Sequence, residues 1–144
     1  IIIYYSLHTT RDLSMMLPVT SAIALALTII LIGLAYRVAA LRIHNKIGLG
    51  VGNNKTLARA RAAHGNAVEN IPVVLILFAL AEIQHASSLY LGALGVLFVL
   101  ARVMSAFAVS RHAGRSLGRF YGIIISWLVM ISLGISNLWL NLAL

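Results

Sequence analysis

The chain has 144 residues, of which 61% are hydrophobic and only 10% are charged. Soluble globular domains carry about a quarter charged residues, so this composition excludes an ordinary soluble domain and predicts an integral membrane protein. The absence of cysteine excludes disulfides, thiolate zinc sites and a cysteine nucleophile. The net charge of +8 does not indicate nucleic-acid binding, because apolar stretches separate the basic residues.

Four apolar stretches follow one another along the chain. At a rise of about 1.5 Å per residue, the first is long enough to cross a hydrocarbon core of about 30 Å. The second helix should begin after the cap Asn53-Asn54 and bend at Pro72. We therefore predict an all-α integral membrane protein, a single four-helix transmembrane domain over residues 1–144. The predicted spans are residues 13–36, 66–84, 86–109 and 120–144.

Basic residues concentrate on one side of this four-span arrangement. Ten of the eleven Lys and Arg residues lie in or near two connections, at about residues 37–58 and 110–119. Cytoplasmic loops of membrane proteins carry an excess of Lys and Arg. We therefore predict that both connections are cytoplasmic and that both chain ends lie outside the cytoplasm.

One face of the second helix carries four polar residues, which we call the polar strip: Arg59, Asn66, Glu69 and Asn70. At about 100° per residue, all four fall within about 100° of one another around the helix. A charged carboxylate at the centre of a membrane helix costs about 2.5–3.5 kcal/mol on insertion scales, so Glu69 needs a partner. The strip fits a polar ligand with both amide and carboxylate groups.

Arg102 interrupts the third span at a depth similar to that of Glu69. Each residue lies about 21 Å from the far end of its helix, counted at about 1.5 Å per residue. We therefore predict a structural ion pair between Glu69 and Arg102. Such a pair is compatible with simple packing between helices or with a ligand site. The two amides beside Glu69 favour the ligand site.

The remaining titratable residues give weaker indications. His64 has no second histidine at metal-ligand spacing, so we interpret it as an interfacial residue and predict no metal site. Arg119 opens the fourth span and has two open interpretations. Its stem can lie along apolar surface with its head at the interface, or its charge can stabilise an anion such as a thiolate.

The segment Arg59-Ala-Arg61-Ala-Ala-His-Gly-Asn66-Ala-Val-Glu69-Asn-Ile-Pro72 resembles the helix-two signature of the MAPEG family, the membrane-associated proteins of eicosanoid and glutathione metabolism. The pair Ala101-Arg102 is similar to the family's Gly-Arg motif in helix three. The segment Arg119-Phe-Tyr-Gly122 is similar to the Arg-x-x-Gly that opens its fourth helix. The resemblance covers about residues 16–144 and has the character of a bacterial member.

This resemblance implies a homotrimer in a bacterial inner membrane, in contact with membrane lipid. Glutathione would bind as co-substrate between subunits near the cytoplasmic side, held by the polar strip. Arg119 of the adjacent subunit would be catalytic and would stabilise the thiolate. The implied activity is that of a glutathione-dependent transferase or peroxidase acting on lipophilic small-molecule electrophiles.

Four positions depart from the family pattern. Ala62 stands where Arg is usual and Asn70 where enzymes often carry Tyr. Ser105 and Phe107 stand where bacterial members often have His and Tyr. Each change removes a possible donor or base, which favours an alternative, a non-catalytic lipid-binding or scaffold member of the family. A proton-coupled exporter is disfavoured, because it would need an acid in the first span and none is there.

Overall fold

A computed structural model describes residues 16–111 and 117–142 and is entirely helical in its regular structure over these ranges. All four helices are long and apolar enough to cross a membrane. This confirms the predicted four-helix membrane fold. Residues 13–15 of the first predicted span, residues 112–116 of the second predicted connection and residues 143–144 of the fourth predicted span lie outside the described residues. The helices are α1 (Pro18–Asn45), α2 (Lys55–Ile83), α3 (Ser88–Arg111) and α4 (Leu117–Leu142).

The connection between α1 and α2 is shorter than predicted from the distribution of charge. Helix α1 continues to Asn45 and ends at Lys46, which adopts a left-handed conformation with φ 52°. Helix α2 begins where predicted, because the Asn54 side chain accepts a hydrogen bond from the Leu57 amide at 2.9 Å. Charged residues end an apolar span, but they do not end a helix, so both helices extend past the apolar stretch.

Helix α2 runs through Pro72 without interruption. Proline has no backbone N–H, so the carbonyl of Val68 loses its usual helical donor at this point. The bend predicted here stays a prediction. The continuity of α2 keeps the polar strip and the far end of the helix on one element.

The two central helices of the bundle are α2 and α3. Helix α1 packs on both of them, and α4 packs on both as well. Phe78 of α2, Phe98 of α3 and Leu133 of α4 are fully buried in a shared apolar core with Leu27 of α1. Polar side chains that lie near this core therefore have few routes to water.

Gly122 brings α3 and α4 into close contact. A Cβ atom at this position would lie 2.9 Å from the Ala101 carbonyl oxygen and 2.9 Å from the Cβ of Ser105. A side chain at residue 122 would therefore push the helices apart. The missing side chain lets Arg102 of α3 reach the backbone of α4.

Glu82 of α2 caps the start of α1. Its Oε1 accepts from the Val19 amide at 2.9 Å and its Oε2 from the Thr20 amide at 2.8 Å. Leu17 stands at the N-cap of α1 and makes no side-chain cap bond. The carboxylate satisfies two free amides and complements the positive end of the helix dipole. This contact fixes the axial position of α1 against α2.

Candidate polar ligand site

Arg102 is the centre of a buried polar network that joins three helices. Its side chain is 3% exposed. Nη1 donates to Asn66 Oδ1 of α2 at 2.8 Å, and Nη2 donates to the Gly122 carbonyl of α4 at 3.1 Å. Nη2 also donates to Ser126 Oγ, whose hydroxyl in turn donates to the Gly122 carbonyl at 2.7 Å. These four residues form what we call the Arg102 network.

The ion pair predicted between Arg102 and Glu69 does not form within the described part of the chain. Arg102 bonds Asn66 instead, one turn earlier on α2, and Glu69 is exposed. The two α2 residues lie about 60° apart around the helix, so Glu69 turns outward when Asn66 faces α3. The depth of a residue along its helix does not tell which way its side chain points, so the sequence did not predict this change of partner.

The partners described for Arg102 are neutral. Besides the hydrogen bonds, its guanidinium lies 5.3 Å from the centroid of the Phe98 ring, a cation–π contact. Its Nε is buried and has no hydrogen-bond partner among the described residues. A buried charge without a counter-charge is costly in a membrane. The described residues therefore leave the charge of Arg102 without a counter-charge.

The polar strip is only partly joined by hydrogen bonds. Asn70 Nδ2 donates to the Asn66 carbonyl oxygen at 2.7 Å and to Asn66 Oδ1 at 3.3 Å. Arg59 is half-buried and donates to Thr56 Oγ1 at 3.3 Å, and its Nε is buried without a partner among the described residues. The structure thus brings Asn66, Asn70 and Arg102 together, whereas Arg59 and Glu69 share the helix face without bonding them.

Glu69 is exposed on α2 at a depth that the membrane covers. If Ile83 lies at the far interface, a core of about 30 Å reaches back about 20 residues, to about residue 63. Glu69 then lies about 9 Å inside the hydrocarbon. Among the described residues of the protomer, none forms an ion pair or hydrogen bond with its carboxylate. Hydrocarbon cannot supply one, so the described residues leave this carboxylate without a partner at a depth where it needs one.

The other predicted site positions have different outcomes. Arg119 lies in the first turn of α4, and its side chain falls outside what the structure describes, so its catalytic role stays a prediction. Ser105 is buried against Gly122. Phe107 is exposed. A larger residue at position 105 would not fit the close packing of α3 on α4, which accounts for the small residue there.

Two residues of the Arg102 network were not predicted as site residues from the sequence. Ser126 was not identified, and Gly122 was noticed only as part of a motif with Arg119. The spacing of Gly122 and Ser126, four residues apart on one helix face, is the signal that could have found them. The sequence also did not indicate that Glu82 of α2 caps the start of α1.

A second polar cluster lies at the opposite end of the bundle, between α3 and α4. The Tyr90 hydroxyl lies 2.8 Å from Ser132 Oγ and 2.7 Å from Ser136 Oγ. Ser136 Oγ also donates to the Ser132 carbonyl at 2.8 Å. We call these three residues the Tyr90 network. It contains only neutral hydroxyl groups, and each has a partner.

An apolar groove of about 510 Å³ lies between α1 and α3. Ala22 and Ala26 form one side and Gly92 and Gly95 the other. A Cβ at Gly92 would meet no atom within 4 Å, so this glycine leaves the groove open. The polar strip is not part of the groove lining, so the two features are separate surfaces. The described residues hold no group of three or more His, Asp or Glu side chains that could bind a metal ion.

Four membrane-crossing helices around a buried polar network define a multi-pass membrane protein. A family model described as the MAPEG family matches residues 20–139. The chain therefore belongs to the MAPEG family.

Two curated relatives show how far this similarity extends. The chain is 26% identical over 121 residues to the inner membrane protein YecN of Escherichia coli strain K12. The alignment covers 84% of this chain and 91% of that protein. YecN of Escherichia coli O6:H1 strain CFT073 is similar to the same extent.

Proposed function

We propose that this protein is a glutathione-dependent transferase or peroxidase that acts on lipophilic electrophiles in a bacterial inner membrane. Glutathione binds near the cytoplasmic side, between subunits of a homotrimer. The observation that carries the proposal is Glu69, a carboxylate exposed on α2 at membrane depth. Since lipid cannot solvate it, a neighbouring subunit with a bound polar ligand supplies what the protomer lacks.

The chemistry of the polar strip fits glutathione, which has an ammonium group, two carboxylates and two amides. Glu69 offers an acceptor for the ammonium group. Arg59, with a buried Nε that lacks a partner among the described residues, offers a donor for a carboxylate. Asn66 and Asn70 add amide groups on the same face. Donors and acceptors of this number suit a charged tripeptide better than a lipid headgroup with one anionic centre.

The chain contains no cysteine, so a reactive thiol has to come with the ligand. Arg119, in the first turn of α4, supplies positive charge that favours the thiolate over the thiol. The thiolate sulfur then forms a bond to an electrophilic carbon. The leaving group departs with its bonding electrons, and the thiol proton passes to solvent.

Glutathione binding tests this proposal, measured by calorimetry on the purified protein in lipid nanodiscs. Glu69→Gln and Glu82→Gln form a matched pair, because each removes one carboxylate from α2. Glu82 has its partners inside the protomer, and Glu69 is exposed. We expect Glu69→Gln to weaken binding at least about tenfold, the loss of one charge-assisted hydrogen bond. Glu82→Gln should bind as the wild type does.

Absence of binding at millimolar glutathione would contradict the transferase proposal. An equal loss in both variants would show that the effect of Glu69 is a general one on folding.

Conjugation of glutathione to an aromatic halide tests the catalytic role of Arg119. We expect Arg119→Ala to lose about 100-fold in rate, since it removes a group that stabilises a developing charge. Arg115→Ala, in the connection before α4, controls for loss of positive charge at the interface. An unchanged rate in Arg119→Ala would remove this residue from the chemistry.

A second function, lipid binding without catalysis, is favoured by the packing at Ser105. This side chain is buried against Gly122, so a position where bacterial relatives often carry a polar reactive residue serves packing here. Glutathione binding without any conjugation or peroxidase activity would support this candidate over the first.

A further inference from the structure

We propose that Arg102 is a positioning residue that orients the side-chain amide of Asn66. The amide then presents its NH₂ group to the ligand, and that group selects an anionic oxygen, a carboxylate. The inference rests on the proposed function for the identity of the ligand, glutathione. It adds which chemical group of the ligand Asn66 recognises, and which residue sets that choice.

The orientation of the amide follows from the donors around it. A guanidinium has no acceptor atom, so the Asn66 atom 2.8 Å from Arg102 Nη1 must be the oxygen. Asn70 Nδ2 reaches the same oxygen at 3.3 Å. Two donors occupy the two lone pairs of Oδ1. What Asn66 can offer a ligand is therefore its NH₂ group.

Arg102 is itself held in place by α4. Its Nη2 donates to the Gly122 carbonyl at 3.1 Å and to Ser126 Oγ, and the side chain is only 3% exposed. The two bonds to α4 and the burial of the side chain therefore restrict the guanidinium beside the close helix contact at Gly122. The packing of α3 on α4 thereby determines the orientation of an amide on α2.

The charge of Arg102 also makes the NH₂ group of Asn66 a stronger hydrogen-bond donor. Hydrogen bonds in a chain polarise one another, so a guanidinium on Oδ1 makes the NH₂ of the same amide a stronger donor. The described partners of Arg102 are neutral, so none of them cancels its positive charge. Both effects favour an anionic acceptor. Glu69, on the next turn of α2, favours a cationic group. Asn66 and Glu69 therefore distinguish the anionic and cationic ends of a zwitterionic ligand.

Asn66→Asp separates positioning from stability. The aspartate keeps an acceptor for Arg102 and turns a bond with one charged partner into an ion pair. We therefore expect the melting temperature to equal or exceed that of the wild type. The NH₂ donor is lost, so glutathione affinity should fall at least about tenfold, the loss of one hydrogen bond to a charged group. Wild-type affinity in Asn66→Asp would overturn the proposal.

Glutathione amides, in which one carboxylate is converted to a carboxamide, identify the group that Asn66 recognises. The wild type should bind one of the two amides at least about tenfold more weakly than glutathione, because a neutral acceptor replaces a charged one. Asn66→Asp should lose this discrimination. Equal discrimination in both proteins would overturn the assignment to a carboxylate. Tyr90→Phe, which alters only the network at the opposite end of the bundle, should discriminate as the wild type does.

A measurement without glutathione tests the contact with Arg102 independently. The NH₂ resonance of Asn66 is identified in the NMR spectrum by its disappearance in Asn66→Asp. Arg102→Lys keeps the charge but changes the donor geometry, so we expect this resonance to shift. An unshifted resonance would overturn the positioning role. If the wild type fails to bind glutathione, the proposed function fails, and this resonance alone decides whether Arg102 orients Asn66.

Discussion

Two of the polar networks in the bundle, the Tyr90 network and the Arg102 network, hold helices together by different means. The Tyr90 network consists of three neutral hydroxyl groups that bond one another between α3 and α4. The Arg102 network places a positive charge among neutral partners and borders the exposed Glu69. Neutral hydroxyl groups are sufficient to join membrane helices. Packing between these helices does not require a charged residue. The buried charge of Arg102 therefore supports a ligand site at that end of the bundle.

Removal of the charge at the Arg102 end should have the largest effect on stability. Arg102→Met leaves Asn66, Ser126 and the Gly122 carbonyl without their common donor. We expect a loss of about 3 kcal/mol in the free energy of unfolding, because three hydrogen bonds from a charged donor are lost and each contributes about 1 kcal/mol or more. The Gly122 carbonyl keeps its bond from Ser126, and Asn66 Oδ1 keeps its longer bond from Asn70. Unfolding in mixed micelles with increasing denaturing detergent measures this loss. A change below about 1 kcal/mol, the value of a single net hydrogen bond, would show that the network contributes little.

The close helix contact that makes the Arg102 network possible can be tested at Gly122. Gly122→Ala places a Cβ 2.9 Å from the Ala101 carbonyl oxygen, a backbone atom that cannot move aside cheaply. We expect a loss of about 1–3 kcal/mol from overpacking. Gly134→Ala is the matched control on the same helix, because a Cβ there meets no atom within 4 Å. It should be neutral or slightly stabilising, since alanine favours helix, and equal losses in both would contradict the proposed contact.

The smallest effect is expected at the opposite end. Tyr90→Phe removes one hydroxyl, while Ser136 keeps its bond to the Ser132 carbonyl. Polar contacts between membrane helices average about 0.6 kcal/mol, so the same detergent titration should show a loss of about this size. Glutathione affinity should not change. Tyr121→Phe, at an exposed position of α4, is the control and should leave stability unaltered. A loss of glutathione affinity in Tyr90→Phe would contradict the distinction between the two ends of the bundle.

The membrane architecture could be predicted from sequence because it depends on local composition. Length and apolar character determine which segments cross a bilayer, and the start of α2 after Asn54 follows from a cap encoded by adjacent residues. The polar strip was also predictable, since residues on one helix keep a fixed angular spacing. These features need only the geometry of a single helix.

The partner of Arg102 depended on how separate helices rotate and approach one another. Arg102 contacts α2 one turn away from Glu69, where a rotation of about 60° around the helix replaces Glu69 by Asn66. The cap that Glu82 forms on α1 likewise joins residues more than 60 positions apart. Composition and periodicity thus determined four membrane helices with a polar face. Tertiary packing, through the missing side chain at Gly122, decided which polar groups meet and left Glu69 facing outward.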